Sequence, residues 1–168
     1  MTISMYQASV PALQRMLKAL DTILDKAAAY AEERKIDPLV LTSARLAPDM
    51  HPLTRQVQFL SDTAKGAAAR LAGLPVPSFE DTETTFPELK ERIAKTLEFI
   101  DGVRPDQIDG SEARDILLKA GTSELTFKGQ DYLASFVLPN FYFHATTAYA
   151  ILRHNGVPLG KRDYLAGV

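Results

Sequence analysis

The chain has no cysteine, so disulfides, thiolate metal sites and a cysteine nucleophile are excluded. It has no excess of charge either: 19 Lys and Arg stand against 21 Asp and Glu, a net charge of -2, with no long run of one sign. Nucleic-acid binding needs a basic stripe, and none is visible. No basic region leads into an apolar run at Met1-Thr2-Ile3-Ser4-Met5-Tyr6, so no signal peptide is expected and the cytoplasm is the expected compartment. Several catalytic templates are missing as well: a Gly-rich phosphate loop, a Gly-x-Ser-x-Gly elbow, a His-Glu-x-x-His zinc helix and the Glu-x-x-His pairs of di-iron bundles.

What is present fits one soluble domain spanning residues 1–168, with 46% apolar and 24% charged residues. The 21 residues from Tyr132 to Leu152 carry no Asp, Glu, Lys or Arg. They do carry Ser135, Pro139, Asn140, His144, Thr146 and Thr147, a polar load that favours a buried bundle helix over a membrane span.

Four segments carry helical periodicity. In the first, Leu13, Met16, Leu17, Leu20, Leu24, Ala27 and Ala31 recur at spacings of three and four. Ser4 with Gln7 reads as a capping box, Ser9 before Pro11 offers a second start with a kink, and Asp37-Pro38 closes the helix. After a connector with one helical turn, Asp49 is the expected N-cap of the second long helix. Its inner face is Leu53, Val57, Leu60, Ala64, Ala68 and Leu71, and Gly73 ends it. Pro75 to Thr84 reads as a loop. Thr85 and Glu88 cap a third helix with Phe86, Leu89, Ile93, Leu97 and Ile100 inside.

Residues 112–128 alternate apolar and polar around Ala120-Gly121-Thr122-Ser123, which predicts a β-hairpin ended by Lys128-Gly129. The last long helix is expected from Pro139 to Asn155, stopped by Gly156, with two adjacent apolar stripes. One is Phe141, His144, Ala148 and Ile151; the other is Tyr142, Ala145, Tyr149 and Leu152. A face that wide predicts burial against the bundle and against a second subunit. The tail from Val157 reads as loop, with Tyr164 and Leu165 docking back. The predicted architecture is an all-α four-helix bundle with a small β-hairpin between helices three and four.

Of three histidines, His51 is expected near solvent in the first turn of helix two, and His154 caps the end of helix four. His144 sits mid-helix on an apolar stripe. It has two readings: a core imidazole hydrogen-bonded to a neighbour, or a ligand or general base in a pocket. Asn140, four residues earlier, shares its face.

Four runs carry a resemblance. They are Met1-Thr2-Ile3-Ser4-Met5-Tyr6-Gln7-Ala8-Ser9-Val10-Pro11, Arg45-Leu46-Ala47-Pro48-Asp49-Met50, Phe127-Lys128-Gly129-Gln130-Asp131-Tyr132 and Leu138-Pro139-Asn140-Phe141-Tyr142-Phe143-His144. Together they resemble a bacterial domain-of-unknown-function family within the DinB/YfiT-like superfamily of metalloenzymes. The resemblance spans essentially the whole chain and implies the bundle fold. It also implies a site for Zn or Ni built from three histidines, one on helix two and two on helix four, and in some members a thiol transferase using bacillithiol, mycothiol or glutathione. Carried onto this chain, those positions fall at Gln56, Asn140 and His144. Two of the three are amides, which are weak donors to Zn or Ni. The expectation is therefore a degraded metal site with no cofactor, in which Gln56, Asn140 and His144 line one pocket for a small molecule. The chain is expected to act as a homodimeric binding or interaction module. The alternatives are a DinB-type transferase or hydrolase holding Zn or Ni through His144, or a metal-free enzyme with His144 as its base.

Overall fold

The computed structural model describes residues 2–120 and 123–167. Helix α1 (Met5–Arg34) opens on the expected reciprocal box: Ser4 accepts from the Gln7 N–H while the Gln7 side chain accepts from the Ser4 N–H. It runs through Pro11 as one helix, so no second start is used. Ser9 instead turns its hydroxyl back onto the Met5 carbonyl at 2.6 Å. A short α2 (Pro38–Thr42), capped by Asp37, fills the connector. Helix α3 (Leu53–Ala72) begins three residues later than an Asp49 cap would place it. The backbone between is held as a turn: Met50 N–H bonds to Ala47 O and Leu53 N–H to Ala44 O, and Pro52 stands extended at the N-cap. Gly73 closes α3 at φ 71°, a left-handed conformation that glycine adopts without steric cost.

Helix α4 (Phe86–Asp101) has the Thr85–Glu88 box. Here a carboxylate accepting from the backbone N–H groups of Thr84 and Thr85 is held down to a pKa of about 2. A four-residue α5 (Pro105–Ile108) follows. Strands β1 (Asp115–Ala120) and β2 (Ser123–Lys128) pair antiparallel, with Ile116 opposite Phe127 and Leu118 opposite Leu125. The expected turn at Gly121-Thr122 lies outside the described residues.

The last long helix starts earlier than Pro139. Helical backbone runs from α6 (Gly129–Asp131) through a π-helical turn (Tyr132–Val137) into α7 (Leu138–His154). Leu138 N–H reaches five residues back to Leu133 O. Pro139 has no N–H to give its own upstream turn, so a helix crossing it is already one bond short. The tail is not all loop: α8 (Lys161–Tyr164) returns to α1, and Tyr164 Oη lies 2.9 Å from Thr146 Oγ1.

The periodic stripes of α1 and α3 are buried throughout, and those of α4 nearly so, with Leu97 half-buried. Helix α3 packs between α4 and α7, and α1 lies against α4. On α7 the apolar surface exceeds what the bundle covers: Tyr142 and Phe143 are 36% and 55% exposed. Among the described residues, no helix is long and apolar enough to cross a membrane.

Candidate functional site

The α3–α7 seam brings the three candidate residues together, although Gln56 and His144 are 88 positions apart. Gln56 is buried in the first turn of α3. Its Nε2 donates to the His51 carbonyl at 2.9 Å, which turns Oε1 toward His144 Nδ1 at 2.8 Å. A carboxamide oxygen only accepts, so this chain puts the proton on Nδ1 and the lone pair on Nε2. Asn140 donates from Nδ2 to Thr63 Oγ1 at 2.8 Å, and Thr63 passes its own proton to the Phe59 carbonyl at 2.7 Å. That leaves Asn140 Oδ1 as an acceptor. Asn140 and His144 line a cleft of about 520 Å³, a volume suited to a small organic molecule, and Gln56 stands behind His144.

The imidazole is half-buried between Phe59 and Phe143, whose ring centroids lie 5.1 and 5.2 Å away. Burial, aided by the nearby His51, pushes its pKa down to about 4. His144 is therefore neutral at pH 7. The unfolded chain takes up a proton near the ordinary value of about 6.5, and the folded chain resists it until about 4. This contribution to stability is fully present above the unfolded value and is lost as pH falls through that window. Urea melts between pH 7 and pH 4 should thus show a steeper decline for the natural chain than for His144→Gln. Parallel profiles would mean that the folded imidazole protonates freely.

His51 lies just before α3, outside its first turn, and acts through its backbone carbonyl. His154 is exposed in the last turn of α7. Phe59, Thr63, Arg70 and Phe136 also line the cleft and are not marked in the sequence reading, while Tyr132, which lines it too, stands there in a run that carries the resemblance, with no role. One signal was available: Tyr132, Phe136, Asn140 and His144 are spaced by four. In an α-helix that spacing drifts by about 40° per step, and the wider π turn lets Tyr132 and Phe136 stay on the side of the other two. Nothing in the sequence marked Arg70, which enters from another helix.

No curated protein matches the chain. The family model described as Domain of unknown function (DUF1993) matches residues 5–165. A solved DinB family member protein from Shewanella denitrificans is similar over 95% of this chain and 90% of its own, with 43% identity and a TM-score of 0.86.

Proposed function

The chain belongs to the DUF1993 family, within the DinB-like superfamily, and from that premise we propose that it is a metal-free binding module, homodimeric, taking a small molecule beside His144. The observation that carries this reading is the chain of hydrogen bonds from the His51 carbonyl through Gln56 to His144. It fixes a neutral imidazole with one acceptor nitrogen directed away from Gln56.

The donor chemistry argues against Zn or Ni. Those ions favour imidazole, thiolate and carboxylate, and the three candidate positions offer one imidazole and two amides. Gln56 Oε1 is already engaged by His144, and among the described residues no three His, Asp or Glu side chains gather as a ligand set. The residues present do not fit the superfamily's metal. A second reading, His144 as the base of a metal-free enzyme, draws on the lone pair at Nε2. With a pKa of about 4 that nitrogen is a weak proton acceptor at neutral pH, whereas accepting a hydrogen bond from a ligand needs no such basicity. The exposed Tyr142 and Phe143 support a two-fold dimer, the commonest closed assembly.

Protein purified without chelators should carry far less than one Zn or Ni per chain by mass spectrometry, and light scattering should give the mass of two chains. One metal per chain that disappears in His144→Ala would replace this reading with the metal-dependent transferase or hydrolase. A clean monomer at micromolar concentration would remove the dimer.

A further inference from the structure

The charges around the cleft are matched, with one exception. The Asp62 carboxylate pairs with Arg92 at 2.8 Å and Lys65 at 2.9 Å, and Lys119 lies 3.8 Å from Glu124. Arg70 has no ion pair among the described residues. Its Nη1 donates to Tyr132 Oη at 3.1 Å, and both residues line the cleft. Tyr132 is 2% exposed, and since its oxygen accepts from Arg70, its own O–H remains to donate. The two side chains therefore present donors and positive charge.

Gly66 bears on how Arg70 is held. It is buried in the interior of α3, where glycine is a poor helix former, and a Cβ there would run into Arg70 Nη1. The missing side chain is the space in which the guanidinium folds back toward Tyr132. A position in the last helical turn favours a cation through the helix dipole, but that effect asks neither for this fold-back nor for a glycine one turn earlier.

We infer that Arg70 and Tyr132 form an oxyanion subsite that receives the carboxylate or phosphate of a small ligand, whose apolar body lies against Phe59 and Phe136 toward His144. The inference rests on the His144 pocket and adds the ligand's charge and orientation. Guanidinium and phenol would supply charge-assisted hydrogen bonds to the oxyanion, and His144 Nε2 would accept from a donor at the other end.

Three probes test it by NMR titration of the full chain: 3-phenylpropionate, phenyl phosphate and the neutral 3-phenylpropionamide. At least one anion should shift the Arg70 Nε–H, Gly66 N–H and His144 signals, with the amide binding at least tenfold more weakly. The better anion tells carboxylate from phosphate. Arg70→Met should weaken that anion at least tenfold with an unchanged melting temperature. Gly66→Ala should weaken it similarly while melting no lower than the natural chain. An amide that binds as tightly as the anions, or an Arg70→Met chain of undiminished affinity, would overturn the subsite. Shifts at His144 alone, from all three probes, would remove the subsite and leave the His144 pocket standing. Silence at both residues from every probe would count against both.

Discussion

Replacing Arg92 with alanine should lower the unfolding free energy by about 3 kcal/mol, the lower end of the range for breaking a buried ion pair. Arg92 is 2% exposed on α4 and gathers its partners from α3 and from the loop that precedes α4. Nη2 donates to Asp62 on α3 at 2.8 Å. Nη1 donates to Glu83 at 3.0 Å and to the Glu80 carbonyl at 3.0 Å, and lies 3.0 Å from Asp81. Burial opposes its charge, but the Glu83 hydrogen bond and the surrounding carboxylates leave its pKa above the ordinary value. One side chain thus ties the loop between α3 and α4 to both helices. Lys65 reinforces it through the Pro77 carbonyl at 2.8 Å.

The lower end is chosen because the Asp62 and Asp81 side chains are 41% and 37% exposed, so water can solvate them once the guanidinium is gone. Urea denaturation measures the loss, and the melting temperature should fall by about 6–12 °C for a chain of this size. The effect should persist in 1 M salt, since a buried pair is screened little. A loss below about 1 kcal/mol would mean that the cluster behaves as a surface network.

Gly129→Ala should cost about 3 kcal/mol, near the upper end for overpacking. Gly129 is buried where β2 passes into α6, and a Cβ there would overlap the Ser111 carbonyl oxygen and stand 3.0 Å from its carbon. The obstacle is backbone, so no rotamer change relieves it. The neighbouring bonds, Gly129 N–H to Arg114 O and Gln130 N–H to Glu112 O, hold the two segments at that distance. The damage should reach the cleft as well, because Tyr132 and Phe136 follow directly in the π turn. Equilibrium unfolding gives the cost, and NMR signals of Tyr132 and Phe136 report the displacement. A variant as stable as the natural chain would show that Ser111 gives way easily.

Neither residue could have been ranked this way from the sequence. There Gly129 only ends a hairpin, and Arg92 is one more charge on an amphipathic helix. The apolar face of α7 is wider than the bundle covers, and Tyr142 and Phe143 remain exposed, the second of them outside both expected stripes. Asp49 does not cap α3 because an acidic residue before a periodic segment is a good cap only if no turn intervenes, and one held through Ala44 and Ala47 does.

The four long helices, the hairpin and their inward faces, though not every boundary, were determined by sequence alone. Ser4 with Gln7, Thr85 with Glu88, and apolar residues three and four apart interact within a turn or two of one helix, and these relations survive whatever the neighbours are. The alternating hairpin is local in the same sense. Tertiary structure alone decided which nitrogen of His144 carries the proton, which charges are matched around Arg92, and that Arg70 meets Tyr132 across 62 positions. The reason is physical: hydrogen-bond partners and pKa values depend on desolvation and on groups a few ångströms away, and in a bundle those groups come from distant parts of the chain.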